Sequence, residues 1–533
     1  MVKYLIKQEM LHYLDKILLS ILSFVCFVNV SLAQKISSED EKKWFIADKA
    51  FDYGDYLTAV KTYKMLLEVE PANDELNYKT GVCLFSLPDG YKDSALFYLS
   101  KVKANKYDEL NYYLGRLNHL ARLYPKAILN FEAYKKIKPF NRLHSDKEVE
   151  DLISRSNVAQ LFESRPNKSL QIINLGEQVN SIYADYGPKI TAEGNELFFT
   201  SKRKNIQWIN KDAYGNYFEN IYSSIKKEDW QTPSLLSDKI NSKYNESCTG
   251  VSHDGEKMLI FRTSEDLKRG HIYESYKNND GWTSPIKLTN NINTEKYTET
   301  SACFSPDGNS IYFSSNRPGG FGGKDLYVVK KLPNGSWSEA FNLGGEVNTM
   351  YDENTPFVHP SGKILFFSSK GHENMGGYDN FKVNFDEAGK YSDLENLGYP
   401  INTNDDDLFF VLGTDGSRGY LSSRRKGGEG SYDIYEVLFS ENILPLNVYQ
   451  INVFDEKNKI IKNVDISLVE LETKKRFGKY KSNEYNGKMI IISETNKEYE
   501  ITIKADGYQT FITQSVLNEN KQLTFTLSKV SND

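Results

Sequence analysis

Histidine and cysteine are scarce in this chain of 533 residues, with seven of the first and four of the second. Cys26 falls in an apolar leader, which leaves Cys83, Cys248 and Cys303, an odd and widely spaced set that makes no disulfide framework. No CxxC pair or Cys/His cluster occurs, so no zinc site is expected and the three thiols read as buried. The GxxxxGK[ST] phosphate loop is missing. So is the GxSxG nucleophile elbow, and His253, His271, His359 and His372 occupy unrelated turn and loop positions with no Ser/His/Asp constellation. The expectation is a protein that is not an enzyme and carries no cofactor. Excess positive charge is also lacking: 66 Lys and Arg stand against 72 Asp and Glu, a net charge of −6 that gives no nucleic-acid footprint.

What is present begins with an exported leader. Lys3, Lys7 and Lys16 precede an apolar run from Ile17 to Val30, and Ser31 to Ala33 supply small residues before Gln34. The run is too short to span a bilayer, so residues 1–33 read as a secretory signal peptide, with Met10 as an alternative start. Phe24 and Val25 fit a lipidation site at Cys26 poorly. No later segment reads as a membrane span. Aromatics reach 13%, with 36 Tyr, which favours strands and packed repeats over disorder.

Residues 39–164 carry helix-period patterning. Ala47, Phe51, Tyr56, Ala59, Tyr63 and Leu66 set small against large apolar residues on two helices, Gly54 and Asp55 mark the turn, and Pro71 stops the second helix. Weaker copies follow, with small residues at Ala59, Ala95 and Ala127, close to the ~34-residue spacing of tetratricopeptide repeats. The alternative is a generic helical bundle. Either offers a groove for a partner peptide or helix.

The stretch "SPDGNSIYFSSNRPGGFGGKDLYVV" is one of five copies. Their turn glycines are Gly194, Gly255, Gly308, Gly362 and Gly416, a period of about 54 residues. Each copy has a turn between apolar strands, an aromatic second strand, a Ser-Ser-x-Arg or Gly-Gly stretch, and a third strand such as Asp325-Leu326-Tyr327. A last strand carries Trp230, Trp282, Trp337 or Tyr391, and a relative of "LGGEVNT" closes the copy. Four short strands per repeat are the pattern of a β-propeller blade. The fifth copy ends at Val437, and its missing strand stands ahead of the first copy in "IINLGEQVNS", so the ends of the domain are expected to share one blade and close the ring. The expectation is five blades over residues 168–440, with six as the alternative. The glycines at 319–323 then belong to a blade loop, where Arg317 and Asp325 are expected to pair between strands.

A carboxylate lies nine residues before every turn glycine: Asp185, Glu246, Glu299, Glu353 and Asp407. These five either cap amides within their own blades or ring one mouth of the channel as a site for a cation or a basic partner. They could also supply the paired carboxylates of a propeller glycosidase, although the repeat explains them more simply. The recurrent Trp230, Trp282 and Trp337 suit blade packing or, alternatively, stacking on glycan or peptidoglycan fragments.

Residues 446–529 alternate apolar and polar positions with turns at Glu456 to Lys459, Lys474-Lys475 and Asn486-Gly487, which reads as about seven short strands in an antiparallel sandwich. Its Asp506-Gly507-Tyr508 resembles a turn of the carboxypeptidase regulatory-like family, which implies a transthyretin-like fold without catalytic residues.

Leader, tetratricopeptide-like helices, TolB-type WD-like propeller and regulatory-like sandwich follow one another. That order, with "SPDG", "IYFSSNR" and "NLGGEVNT", resembles the PorE-like periplasmic proteins of the type IX secretion system and related OmpA-family envelope proteins. The resemblance implies a scaffold that binds protein partners at the periplasm or the periplasmic face of the outer membrane, in secretion or gliding machinery. Those relatives continue into an OmpA-like domain that binds peptidoglycan. This sequence ends at Asp533 after the sandwich, so that role is not carried over.

Overall fold

Small residues at helical spacing let helices approach closely, and the first part of the chain is built that way. The computed structural model describes residues 37–530 apart from 88–90, 105, 213, 265, 266, 268, 387, 445 and 518–520; the leader expected at 1–33 lies outside them. Seven helices come first: α1 (Ser38–Asp52), α2 (Tyr56–Val69), α3 (Asp74–Ser86), α4 (Lys92–Leu99), α5 (Leu110–Leu120), α6 (Tyr124–Lys135) and α7 (Asp146–Ser164). Gly54, at φ 77°, turns the chain between α1 and α2, and the Asp55 carboxylate caps α2 by accepting from Thr58 N at 3.2 Å. Ala59, Ala95 and Ala127 are fully buried. Gly81 and Gly115 add a signal that the alanines alone do not show. A methyl on Gly81 would overlap Leu99 of α4, and one on Gly115 would overlap Phe131 of α6, so each glycine admits the next helix.

The chain divides into two compact units, Met1–Ile153 and Ser154–Asp533. The second is mostly antiparallel sheet. The first sheet runs Asp185–Ile190, Glu196–Ser201, Asn220–Ile225, Ser234–Leu235. The second runs Glu246–Val251, Lys257–Thr263, Gly270–Asn278, Ile286–Lys287, with Gly281–Trp282 paired beside its third strand. The third runs Glu299–Phe304, Ser310–Ser315, Asp325–Lys330, Phe341–Asn342, and the fourth Glu353–Val358, Ile364–Ser369, Asp379–Phe385, Tyr391–Asn396. The fifth takes Asp407–Leu412, Arg418–Ser423 and Asp433–Phe439, and its outer strand is Leu170–Asn174 from the other end of the segment. The first strands of successive sheets pack side by side, and that of the fifth packs against that of the first. This closed ring fits a β-propeller, which leaves only short outer edges on its sheets.

Three details depart from the sequence reading. In the first three sheets the aromatic residue does not lie on the outermost strand. Trp230 and Trp337 form isolated bridges to Lys226 and Lys331, and Trp282 pairs with Lys277, all at the end of the third strand. Only Tyr391 opens a fourth strand. Arg317 and Asp325 do not pair: Arg317 reaches Glu299, and Asp325 accepts from the amides of its own loop. The C-terminal region has the seven strands expected, in a three-stranded and a four-stranded sheet around one apolar core, but Leu446–Asp455 and Lys521–Leu527 pair in parallel. Strand patterning carries no information on direction, so alternation alone could not show this.

The C-terminal sheets sit against the end of the ring where the turn glycines lie. Ala192 packs with Leu446, Val448, Ile490 and Ile492. Asn483 and Asn486 donate to Glu256 Oε2 at 2.8 and 3.0 Å, Lys488 donates to Asp254 O at 2.9 Å, and Lys363 meets Glu494 at 2.7 Å.

Candidate functional site

Each of the five periodic carboxylates opens the innermost strand of its sheet and is fully buried. A buried carboxylate must have its lone pairs satisfied, and here the donors are local. Asp185 accepts from Ser181 N and Oγ, both at 2.6 Å. Glu246 accepts from Ser242 N at 3.1 Å and from Ser242 Oγ. Glu299 accepts from Thr294 N and Oγ1 at 3.2 and 3.0 Å. Glu353 accepts from Thr349 N and Oγ1 at 2.8 and 2.7 Å, and Asp407 from Thr403 N and Oγ1 at 2.6 and 2.7 Å.

The serine or threonine in each case follows an asparagine that clamps the preceding sheet. Asn348 accepts from Leu326 N at 2.7 Å and donates to Leu326 O at 3.0 Å. Asn241, Asn293 and Asn402 do the same with Ile221, Ile272 and Asn380. Asn180 does it with Ile434, 254 residues away. The end of the "LGGEVNT" motif is therefore a rivet: asparagine holds the third strand of one sheet and the next residue holds the carboxylate of the following sheet.

Four carboxylates also meet an arginine from the end of the second strand. Arg203 Nη2 lies 2.6 Å from Asp185, Arg262 Nε 3.0 Å from Glu246, Arg317 Nη2 3.4 Å from Glu299 and Arg425 Nη2 3.1 Å from Asp407. Three of these pairs are 18 residues apart in sequence, a regularity that could have been read beside the nine-residue one. The fourth sheet has Gly371 at that spacing, and His372 instead reaches Val347 O at 2.9 Å. Glu353 thus has hydrogen bonds, including Ser369 Oγ at 2.7 Å, but no arginine.

Burial pushes Glu353 up to about 7. Burial likewise pushes Glu246 up to about 7 and raises Asp407. A carboxyl raised on folding stabilises the fold below its unfolded pKa of about 4.3, and that contribution is lost as pH rises through about 7. Glu353→Gln keeps an acceptor for Thr349 without the charge. It should match the parent at pH 4 and exceed it by about 3 kcal/mol at pH 8. Urea unfolding at the two pH values checks this, and an equal offset at both would refute it.

The structure does not gather the five carboxylates into a cation or basic-partner ring. Among the described residues no three His, Cys, Asp or Glu side chains group as a metal site. The glycine-rich loop is likewise occupied by the protein itself. Phe321 N and Gly322 N donate to the Asp325 carboxylate at 2.6 and 3.2 Å, and Asn342 donates to it at 2.7 Å. A methyl on Gly322 would overlap Met350 O, so the loop closes over Asp325 only with glycine there. Asp325 is spent on these amides, which is why Arg317 turns to Glu299. Asp379 and Asp433 accept from their own loops in the same way.

Trp230 and Trp282 are buried, the first with Val411 and Tyr420 and the second with Phe198 and Ile260. Trp337 packs partly buried against Ile311 and Val329. The first two present no face to a sugar. Cys83, Cys248 and Cys303 are free and buried.

The class defined by these observations is a mostly antiparallel β protein whose five sheets close as a propeller does. No family model and no curated protein matches the chain. Among solved structures it is similar to the β-propeller domain of the Trilobed protease from Pyrococcus furiosus, at 10% identity and TM-score 0.24, over 64% of this chain and 84% of that one. It is similar to a gluconolactonase from Xanthomonas campestris at 13% identity and TM-score 0.29, over 52% and 92%. It is also similar to 3-chlorocatechol 1,2-dioxygenase from Rhodococcus opacus 1CP at 12% identity and TM-score 0.14, over 16% of this chain, and it spans only 61% of that enzyme's length.

Proposed function

We propose that the protein is a non-catalytic, exported scaffold of the cell envelope that binds protein partners, of the PorE-like kind that serves type IX secretion or gliding. In this reading residues 39–164 are tetratricopeptide-like, residues 168–440 form a five-bladed TolB-type propeller, and residues 446–529 are a transthyretin-like, carboxypeptidase regulatory-like sandwich. The protein acts at the periplasm or the periplasmic face of the outer membrane. Among the described residues no helix is long and apolar enough to cross a membrane.

One observation carries the partner-binding reading. The ring end away from the C-terminal sheets, where the innermost strands begin, exposes large apolar side chains on its connections: Ile182 at 77%, Ile206 at 95%, Ile209 at 65%, Phe321 at 56% and Met350 at 60%. The recurrent carboxylates and two of the tryptophans are spent inside the sheets, so within the ring this rim is the candidate contact surface. Exposed apolar side chains that gather into a contiguous patch mark protein contacts.

Crosslinked pull-down of the tagged full chain from cell envelopes, with mass spectrometry, tests the reading. Outer-membrane secretion components should co-purify, and Ile206→Asp combined with Met350→Asp should lose them at unchanged melting temperature. Recovery of background proteins alone would refute the secretion role.

A further inference from the structure

The four-stranded C-terminal sheet has two edges that differ in chemistry. Arg476–Lys481 forms one and Phe511–Leu517 the other. The first carries Arg476, Lys479 and Lys481, so pairing with a copy of itself would set cation against cation, a common protection of an exposed edge. The second has no such guard. Residues 507–517 contain no charged side chain, in a chain that is 26% charged. The strand has no proline, and its register with Lys497–Lys504 has no bulge. It is open to solvent, with Ile512 at 59% and Val516 at 51% exposed.

The register fixes which main-chain groups of this edge are unpaired. Leu471, directly after Asp465–Glu470, donates its N–H to Glu498 O at 2.9 Å. In an antiparallel ladder the N–H and C=O of one residue point to the same side, and the side alternates along the strand. Glu498, Glu500 and Thr502 therefore turn towards Asp465–Glu470. Tyr499, Ile501 and Ile503 turn towards their register partners Ser515, Thr513 and Phe511. Ile512, Gln514 and Val516 are left with N–H and C=O pointing out of the sheet. Among the described residues one bond reaches these groups, from Ser515 Oγ to Val516 O at a long 3.4 Å. The side chains of the same three residues are exposed, whereas Leu517 is buried in the core and Phe511 packs on Phe525 of the other sheet at 5.8 Å.

We propose that Phe511–Leu517 is a docking edge for a second copy of this chain, which pairs antiparallel with the same strand about a two-fold axis at Gln514. In that register Ile512 faces the partner's Val516, Gln514 faces the partner's Gln514 and Val516 faces the partner's Ile512. Each pair exchanges two main-chain hydrogen bonds, so every outward group of the strand is satisfied. On the exposed face apolar side chains meet apolar ones at both ends and amide meets amide at the centre. On the other face Thr513 lies opposite the partner's Ser515, and Phe511 opposite the partner's Leu517. No like charges meet, which the neutral composition of the strand permits and that of Arg476–Lys481 does not. A shift of one residue would set outward groups against groups already bonded, and a shift of two would set Ile512 against the partner's Gln514. One strand from each copy is a small contact, so the dimer is weak, with dissociation on the order of tens of micromolar.

Sedimentation equilibrium of the full chain from about 1 to about 200 µM should show monomer passing to dimer. Gln514→Lys sets two ammonium groups against each other on the axis and should weaken the dimer at least about tenfold, and Gln514→Glu should do the same with two carboxylates. Gln514 is exposed, so both variants should keep the parent's melting temperature. Mixed in equal amounts, the two variants should regain the dimer as a heterodimer, which damage to the fold could not produce. In the parent, amide exchange at Ile512, Gln514 and Val516 should slow as concentration rises, while Thr513 and Ser515 are protected throughout. A parent that stays monomeric at about 200 µM overturns the proposal and leaves the edge to a strand of another protein. A dimer that Gln514→Lys does not weaken, or one whose new protection lies only elsewhere, places the contact on another surface and overturns it equally.

Discussion

Asp185→Ala is expected to cost the fold about 3–5 kcal/mol, because it removes one partner of a buried ion pair and leaves the other. Arg203 Nη2 lies 2.6 Å from Asp185 Oδ1 and 2.7 Å from Val179 O, and its Nε donates to Ser201 Oγ at 2.8 Å. The guanidinium also lies over Phe199 and Tyr222, at 5.3 and 4.9 Å, so it cannot swing into water without breaking the sheet interior. Removing the carboxylate strands that charge and also orphans Ser181 N, the amide that joins the closing rivet to the first sheet. Asp185→Leu combined with Arg203→Met removes both charges and should recover most of the loss, since an apolar pair of similar volume often replaces a buried ion pair without penalty. Urea midpoints for the parent, Asp185→Leu, Arg203→Met and the double variant form the cycle, with Asp185→Ala measured beside it. A single-variant loss under about 1 kcal/mol would show the pair to be solvated and the argument wrong.

Much of this ring was legible because a repeat lets five weak signals be read as one. The turn glycines, the carboxylates and the separated outer strand all follow from spacing, and Leu170–Asn174 pairs with Asp433–Phe439 as the missing piece of the fifth copy required. The arginine partners were legible in three copies through their 18-residue spacing, but not at Glu246 or Glu353, where that spacing fails. Arg317 and Asp325 flank one loop, and proximity along the chain suggested a pair. Asp325 is instead consumed by the amides of that loop, a demand that only backbone geometry reveals. Lys189 breaks the repeat, standing where the other copies have Gly250, Cys303, Phe357 and Val411, so periodicity gives that position no signal.

Asn180→Leu is expected to cost about 3–5 kcal/mol, and its effect should be of a different kind from the same change at Asn348. Each asparagine is buried and makes paired bonds to a third strand, so leucine leaves a main-chain N–H and C=O unsatisfied, at about 1–3 kcal/mol each. At Asn180 a further bond is lost, from its Nδ2 to Asn174 Oδ1 at 2.8 Å, and Asn174 itself donates to Asp433 at 2.7 Å. Asn348 has the matching bond to Asn342, so the local chemistry of the two sites is the same. The topology is not. Leu326 lies 22 residues from Asn348, and the segments they join stay neighbours through the turn of one sheet. Ile434 lies 254 residues from Asn180, and the contact holds the first strand of the ring to its last sheet. Loop closure over that distance is paid once, by the closing strand and its rivet, and weakening the rivet lets the ring open there first. Hydrogen exchange should therefore show Asp433–Phe439 and Leu170–Asn174 losing protection together in Asn180→Leu while the third sheet keeps its own. In Asn348→Leu the exchange should rise within the third sheet, with closure intact. Matching exchange patterns in the two variants would mean that the ring opens as a whole and that its seam is no weaker than any other joint.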